Sequence, residues 1–214
     1  MRIVATSDTH FPIRDSMVIP QGDLFIHAGD LMYHGFPSEW DEVYKSLKQV
    51  TSRFTQSIFV GGNHDIFYQY YIGPCMQQMR SAGIYCLTES KPSNVFTVGN
   101  QQITIGGCPY VTGLPNWAFN STEENIRKYL FDMGAVDVLV SHSPAHGLLA
   151  GKTKNHWGLQ AIRDYIDEFK PKIAICGHVH EGYGHKKYND TDIYNVSMCD
   201  RNYDQVNKPM IIEL

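Results

Sequence analysis

The sequence predicts an α/β protein in which two packed sheets are covered by helices. Short apolar segments that end at turn residues alternate with helical segments in both halves of the chain, and a predicted hairpin lies between the halves. A chain of 214 residues with 43% apolar residues is long enough to bury a full core. We therefore expect one domain that spans residues 1–214.

Five apolar segments have the length expected of strands that are buried on both faces. They are Arg2–Ser7, Asp23–Ala28, Ser57–Val60, Val136–Val140 and Lys172–Cys176. A hairpin is predicted at Gly99-Asn100, between the strands Val95–Val98 and Gln102–Gly106. The segments Asp192–Ser197 and Met210–Leu214 are two further candidate strands.

Apolar residues at helical spacing mark several segments between these strands. Ser38 is the expected N-cap of a first helix, because Glu39 follows in the first turn. Either Ser121 or Thr122 is expected to cap a second helix. The remaining helical candidates are Leu159–Phe169 and the shorter segment Cys75–Ala82.

The composition narrows the class of protein. A net charge of −4 argues against a protein that binds the phosphate backbone of a nucleic acid through a basic face. We recognise neither a signal peptide nor a membrane span in the sequence. The five cysteines form no CxxC pair, which predicts reduced thiols. We expect a cytoplasmic protein without a membrane partner, and the oligomeric state stays open.

Residues of metal-ligand type follow each of the five predicted strands. They are Asp8 and His10, Asp30, Asn63 and His64, His142, and His178 and His180. Because ligands bind beyond the carboxyl ends of the strands in α/β sheets, we expect these side chains to converge. Imidazole, carboxylate and amide donors without a thiolate favour Mn, Fe, Zn, Ni or Co. A carboxylate that can bridge two ions is what a two-metal hydrolytic site requires.

The ordered set resembles the five-block signature of the calcineurin-like metallophosphoesterase superfamily. The matching segments are Asp8-Thr9-His10, Gly29-Asp30, Gly62-Asn63-His64-Asp65, His142 and Gly177-His178-Val179-His180. Two further segments, His27-Ala28-Gly29-Asp30 and Glu181-Gly182-Tyr183-Gly184, resemble the small single-domain metallophosphoesterase-domain-containing (MPPED-like) proteins. The resemblance implies a four-layer α-β-β-α sandwich of two mixed sheets flanked by helices.

The resemblance also implies a role for each residue of the set. Asp8, His10 and His180 would hold one divalent ion, Asn63, His142 and His178 would hold a second, and Asp30 would bridge them. Manganese is the first expectation for both ions. The implied nucleophile is a metal-bridging hydroxide that attacks in line. His64 would protonate the leaving alkoxide, and Asp65 would orient its imidazole.

We expect a metal-dependent phosphoric ester hydrolase, specifically a phosphodiesterase that acts on a small phosphodiester or a cyclic nucleotide. A nuclease acting on DNA or RNA, a phosphomonoesterase or protein phosphatase, and a non-catalytic metal-binding module stay open as alternatives, because fold and ligands do not decide the substrate.

Residues outside the signature are open to two interpretations. The tentative substrate contacts are His34, His146 and His156, and Trp117 and Trp157 could stack on a nucleobase or pack in loops. His185, beside Lys186 and Lys187, is expected in a solvated loop. No role is assigned to Asp200-Arg201-Asn202, which follows a candidate strand.

Overall fold

Five strands form the first sheet of this computed structural model, which describes residues 1–14, 16–151 and 157–214. The strands are β1 (Arg2–Thr6), β2 (Leu24–Ala28), β3 (Gln56–Val60), β4 (Ile84–Leu87) and β11 (Met210–Glu213). Their order is β11-β1-β2-β3-β4. The four strands from β1 to β4 are parallel, and β11 pairs antiparallel with β1.

Six strands form the second sheet. They are β5 (Ser93–Val98), β6 (Gln101–Cys108), β7 (Val138–Ser141), β8 (Ile173–Cys176), β9 (Gly184–Tyr188) and β10 (Thr191–Asn195). The order is β5-β6-β7-β8-β10-β9, with parallel pairing at the centre and one antiparallel pair at each edge. The antiparallel pair β5-β6 confirms the hairpin predicted at Gly99-Asn100.

Helices cover the outer surface of each sheet. The helices α1 (Pro37–Thr51), α2 (Ile66–Tyr70) and α3 (Ile72–Ser81) pack on the first sheet. The helices α4 (Glu123–Met133) and α5 (Gln160–Phe169) pack on the second sheet. None of the helices in the described ranges is long and apolar enough to cross a membrane.

The alternation of side chains along the strands builds three apolar layers. Ile3 and Ala5 of β1 join the cluster between the two sheets, whereas Val4 faces the helices of the first sheet. In the same way Ile175 points inward, and Ala174 packs with the helices of the second sheet. The strands β1 and β8 are therefore apolar on both faces, as strands buried between two layers must be. The four-layer α-β-β-α sandwich of two mixed sheets is confirmed.

The ends of the predicted elements differ from the structure in several places. The first helix begins at Pro37 and its N-cap is Phe36, so the prediction that Ser38 caps it was wrong. Proline suits the first helical position because the N–H that it lacks would have no partner there. Thr122 caps α4, as expected, and its side chain accepts a hydrogen bond from Asn125 N at 3.2 Å.

The sequence analysis missed the strands β4 and β9, the short helix α2 and a 3₁₀ turn at His180–Gly182. The strand β9 has a polar, basic sequence because it lies at the edge of its sheet, where charged side chains can point into solvent. His185, predicted in a loop, lies in this strand, and its Nε2 is 2.9 Å from Asp192 Oδ1.

A carboxylate of α4 caps the start of α5. The N-cap residue of α5, Leu159, offers no side-chain acceptor. Instead the two carboxylate oxygens of Glu123 accept hydrogen bonds from Gln160 N at 3.0 Å and from Ala161 N at 2.8 Å. Glu123 therefore satisfies two N–H groups that the helix itself cannot pair, and it places a negative charge at the positive end of the helix dipole.

We predict that Glu123→Ala lowers the free energy of unfolding by about 1–2 kcal/mol, because two helix N–H groups lose their acceptor. The measurement is equilibrium unfolding in urea. Glu124→Ala is the matched control, because this neighbouring side chain is exposed, and its effect should stay within about 0.5 kcal/mol. Equal losses in the two variants would contradict the capping role.

Candidate metal centre

The seven predicted metal ligands and the predicted acid His64 lie at the carboxyl ends of five strands from both sheets. Asp8 and His10 follow β1, Asp30 follows β2, Asn63 and His64 follow β3, His142 follows β7, and His178 and His180 follow β8. Hydrogen bonds join these ends across the sheets, since His142 Nδ1 donates to Ala28 O at 2.9 Å and His178 N lies 3.0 Å from Asp8 Oδ1. The structure brings all eight side chains into one region.

The first group of potential ligands is Asp8, His10 and His180. One potential ligand atom from each residue lies within 4.8 Å of the others. His10 Nε2 and His180 Nε2 are 3.2 Å apart, and His180 Nε2 is 3.6 Å from Asp8 Oδ1. Asp8 and His10 are buried. These three side chains therefore face one small volume.

The second group is Asp30, His142 and His178. One potential ligand atom from each of these residues again lies within 4.8 Å of the others. His142 Nε2 lies 3.3 Å from Asp30 Oδ2 and 2.9 Å from Asn63 Oδ1. Asp30 Oδ2 is also 4.0 Å from His10 Nε2, which belongs to the first group. The carboxylate of Asp30 thus lies between the two groups.

The backbone adopts an unfavourable conformation at four of these residues. Asp8, His10, Asp30 and His178 have φ values of 50°, 54°, 57° and 64°. Side chains other than glycine rarely adopt this left-handed region, and such strain persists where the surrounding structure imposes it. Gly62 shows how close the packing is, because a Cβ at this position would collide with the carboxylate and the backbone nitrogen of Asp30.

Hydrogen bonds to backbone carbonyls fix the tautomers of three imidazoles. His10 Nδ1 faces Met32 O at 3.0 Å, His142 Nδ1 faces Ala28 O at 2.9 Å, and His180 Nδ1 faces Asp200 O at 2.7 Å. A carbonyl oxygen can only accept, so each Nδ1 carries the proton. The neutral form of each ring then presents the lone pair of Nε2 to the site, as a metal-binding histidine does.

Acceptor atoms consequently face each other across both groups. The lone pairs of His10 Nε2 and His180 Nε2 meet at 3.2 Å, and His142 Nε2 meets Asn63 Oδ1 at 2.9 Å. Two acceptors at these distances repel unless a proton or a cation lies between them. The potential metal-ligand atoms are imidazole nitrogens and carboxylate or amide oxygens, which suit divalent cations such as Mn²⁺, Fe²⁺ or Zn²⁺. The residues present therefore fit two divalent metal ions.

The electrostatics of the site favour the charge states that metal binding requires. Burial alone would raise the pKa of Asp8 and of Asp30, but His180 and His142 respectively outweigh it and hold both pKa values below their ordinary range. Burial lowers the pKa of His10 and of His178 to about 4. At neutral pH the two carboxylates are therefore ionised and these two imidazoles are neutral.

Carboxylates raise the pKa of the other two histidines. Burial would lower the pKa of His180, but Asp8 helps to raise it above its ordinary value. Burial would likewise lower the pKa of His142, but the Asp30 carboxylate, together with Asp8, raises it to about 9. The negative charge of Asp30 thus favours a proton on Nε2, 3.3 Å away. A positive charge at this position is favourable whether a proton or a metal ion supplies it.

His64 is held by its backbone and by one ring nitrogen. Its backbone N–H donates a hydrogen bond to Asp30 Oδ1 at 2.7 Å, and its ring nitrogen Nδ1 faces the carbonyl oxygen of Tyr33. The ring centroid is 4.6 Å from that of His10 and 4.3 Å from that of Trp117. Because Nδ1 is hydrogen-bonded to the Tyr33 carbonyl, Nε2 is the ring nitrogen of His64 that a substrate can contact.

Asp65 binds the backbone of two loops. Its carboxylate accepts hydrogen bonds from the N–H groups of Asp30, Leu31, Met32 and Gly62, at 2.8–3.1 Å. Burial and the Asp30 carboxylate raise the pKa of Asp65 to about 7, whereas its N–H donors lower it. The ring nitrogen Nδ1 of His64 faces the Tyr33 carbonyl instead, so the role of Asp65 in orienting this imidazole stays a prediction.

A cleft of about 900 Å³ opens beside both ligand groups. One part is lined by Asp30, Asn63, His64, His178 and His180. The lining also includes the apolar and aromatic residues Leu114, Trp117, Trp157, Leu159 and Tyr203. Its charged lining includes Glu123, Glu181 and Arg201, and Arg201 forms an ion pair with Glu181. The cleft can hold an organic group next to the potential metal ligands.

The three histidines proposed as substrate contacts have different positions. His146 is exposed and lines the cleft. His34 pairs with Glu39, with Nδ1 3.2 Å from Oε1, and stacks on Phe36 rather than lining the cleft, so the described geometry gives its predicted contact no support. His156 lies outside the described residues. The sequence analysis missed the Tyr33 carbonyl and the Tyr203 ring, because both lie in loops without a periodic pattern.

Comparisons with known proteins identify relatives of this chain. The sequence model of the calcineurin-like phosphoesterase family matches residues 1–182. Metallophosphoesterase domain-containing protein 1 of Homo sapiens is 27% identical over 234 residues, which cover 100% of this chain and 71% of the human protein. A UPF0046 protein of Caenorhabditis elegans is 26% identical over 239 residues, which cover 100% of this chain and 60% of the worm protein.

Solved structures share the fold at low sequence identity. TT1561 of Thermus thermophilus has a TM-score of 0.62 and 14% identity, and the match covers 91% of this chain and 88% of that one. GAP50 of Plasmodium has a TM-score of 0.56 and 12% identity, and the match covers 92% of this chain and 71% of that one. The family match extends over the strands that carry all the candidate ligands, and the chain belongs to the calcineurin-like phosphoesterase family.

Proposed function

We propose that this protein is a dinuclear metal-dependent phosphodiesterase that hydrolyses a small phosphodiester, with residues 1–214 as one catalytic domain. The family membership supports a metal-dependent phosphoester hydrolase. One observation carries the proposal: two groups of facing acceptor atoms lie on either side of Asp30, and His64 lies next to them in the cleft. A cyclic nucleotide is one substrate of this class.

The proposed ligands divide between two metal ions. Asp8, His10 and His180 would hold the first, Asn63, His142 and His178 would hold the second, and Asp30 would serve both. When bound, two divalent cations, with manganese proposed first, supply the positive charge that activates a water molecule and neutralises the phosphoryl oxygens. The chain itself orients this set through the backbone carbonyls that fix His10, His142 and His180.

His64 is the proposed general acid. The Tyr33 carbonyl fixes the proton on Nδ1, so a second proton on Nε2 is the one that can pass to the leaving alkoxide. The hydrogen bond from its backbone N–H to Asp30 Oδ1 keeps the ring beside the second ligand group. The imidazole therefore has a fixed position next to the phosphate, as a proton donor needs.

The charges of the cleft support a diester as the substrate. A phosphomonoester carries a charge of about −1.5 to −2 at neutral pH, whereas a diester carries a single negative charge. Arg201 is the one lysine or arginine among the described lining residues, and Glu181 already pairs with it. Glu123 adds a further carboxylate to the lining. Apart from the charge of the proposed metal ions, the described lining has little positive charge left for a second negative charge on the substrate, which supports a monoanion with an organic substituent.

The net charge of −4 and the carboxylates of the cleft do not favour a polynucleotide as the substrate. A nuclease would need cationic side chains along the groove that leads to the metal ions. Nuclease and phosphomonoesterase activities are therefore outcomes to be tested rather than part of the proposal.

We predict that the protein loaded with Mn²⁺ has a kcat/KM about tenfold or more higher for bis-p-nitrophenyl phosphate than for p-nitrophenyl phosphate, because binding favours the monoanion. The same assay includes 2′,3′- and 3′,5′-cyclic nucleotides and single- and double-stranded DNA and RNA. Robust monoester cleavage without diester cleavage would refute the proposal. Digestion of DNA or RNA at low enzyme concentration would put the nuclease first.

We predict that His64→Ala lowers kcat by about 10²–10⁴-fold, because the leaving group loses its proton donor. Metal content, measured by mass spectrometry, should stay close to that of the wild type. His185→Ala is the control, since this histidine lies on the edge strand β9, where it pairs with Asp192. Unchanged turnover in His64→Ala would exclude the assigned role.

We predict that Asp65→Asn lowers both the metal content and the free energy of unfolding, the latter by about 2–3 kcal/mol, because an amide NH₂ cannot accept from the buried N–H groups. Asp204→Asn is the control, because this carboxylate is exposed and pairs with Arg14. If Asp65→Asn lowered kcat alone and kept its metal, an orienting role toward His64 would be correct instead.

A further inference from the structure

The turn that follows Cys199 contacts the proposed metal centre although it supplies no ligand. The carbonyl oxygen of Asp200 accepts the hydrogen bond from His180 Nδ1 at 2.7 Å. The ring of Tyr203 lies beside the ligand rings, with centroid distances of 4.7 Å to His10 and 5.3 Å to His180. The segment Asp200-Arg201-Asn202, which had no role from the sequence, therefore connects two features of the site.

The backbone of Tyr203 is strained, and the turn holds it in place. Its φ is 64°, in the left-handed region that a tyrosine rarely adopts. The Asp200 carboxylate accepts hydrogen bonds from Asn202 N at 2.8 Å and from Asp204 N at 3.0 Å, and Cys199 Sγ donates to the Tyr203 carbonyl at 3.4 Å. Strain that the surroundings maintain is a feature of functional sites, and here it fixes the position of one aromatic ring.

Tyr203 shares the cleft with a second aromatic residue near His64. The ring centroid of Tyr203 is 5.9 Å from that of His64, and the centroid of Trp117 is 4.3 Å from it. The loop of Trp117 is attached to the site, because Ala118 N donates to the carbonyl of Asn63 at 3.0 Å. Both rings line the cleft and are partly accessible to solvent.

The aromatic rings beside His64 determine which part of a substrate can bind there. Their faces bind apolar and planar groups, whereas phosphoryl oxygens are bound by cations and by N–H or O–H donors. The two substituents of a phosphodiester are alkoxy or aryloxy groups, and the leaving alcohol must lie next to His64 if this residue protonates it. The ring faces of Tyr203 and Trp117 are thus placed to contact such a substituent.

We propose that Tyr203 is a substrate-contact residue that, together with Trp117, binds an ester substituent and makes the enzyme prefer phosphodiesters of aromatic alcohols to methyl esters. The proposal rests on the proposed phosphodiesterase function and extends it to a substrate class. It assigns the turn from Cys199 to Asp204 two tasks: holding the His180 ring and presenting the Tyr203 ring.

The test compares two monoanions that cannot be hydrolysed, diphenylphosphinate and dimethylphosphinate, by titration calorimetry on the Mn²⁺-loaded protein. Tyr203→Asn removes the ring but tolerates the left-handed backbone. We expect it to weaken the binding of diphenylphosphinate about tenfold and to leave that of dimethylphosphinate unchanged. Tyr203→Phe keeps the ring and should bind both anions like the wild type.

Two readouts separate substrate contact from a structural role. Metal content and the free energy of unfolding should match those of the wild type in Tyr203→Asn, and Tyr203→Gly is a second variant if the first folds poorly. Tyr70→Asn removes an exposed tyrosine of α2 and is the control. Equal weakening of both phosphinates, or no weakening of either, would overturn the proposal.

A kinetic comparison uses the two phosphinates as inhibitors of the hydrolysis of methyl p-nitrophenyl phosphate. For the wild type, diphenylphosphinate should inhibit more strongly than dimethylphosphinate, and Tyr203→Asn should lose this difference. A difference that survives the loss of the ring would refute the role of Tyr203. If the wild type does not hydrolyse the ester, the proposed function fails, whereas the phosphinate titrations still decide the role of Tyr203.

Discussion

The carboxylate of Asp65 ties together the loops that follow β2 and β3. It accepts N–H groups from Asp30, Leu31 and Met32 in the first loop and from Gly62 in the second. A buried N–H group without an acceptor lowers the stability of the folded state. Loss of these hydrogen bonds would therefore be unfavourable, and they fix the left-handed backbone at Asp30. The position of the Asp30 carboxylate between the two ligand groups, and with it the position of His64, depends on this interaction.

The centre also joins the two sheets. Asp8, Asp30 and Asn63 come from the first sheet, whereas His142, His178 and His180 come from the second. Asp8 Oδ2 accepts from Ser197 Oγ at 2.7 Å, so strand-end loops of different sheets meet at one carboxylate. The lone pairs of His10 Nε2 and His180 Nε2 repel each other without a proton or a cation, so the packing of the apolar layers contributes to holding these two side chains together.

The residues proposed for phosphoester hydrolysis follow the strands, whereas those proposed for substrate specificity lie in loops. The ligand groups follow strands that many members of the fold share, and a fold alone does not determine a substrate. The walls of the cleft come from loops, namely the segment that carries Trp117 and the turn that carries Tyr203. Loops can vary while the sheets stay the same, so the residues that distinguish this chain from its relatives are expected in these loops.

The sequence by itself determined the two sheets, most of the helices and the set of potential ligands, because apolar strands and polar strand ends are local patterns that tertiary packing preserves. Only the tertiary structure decided the partners of Asp65, the Tyr33 carbonyl that orients His64, and the place of His34 beside Glu39. It also placed Tyr203 next to His10, 193 residues away in the sequence. Contacts of this kind depend on the paths of loops and on backbone carbonyls, and neither leaves a periodic signal in the sequence.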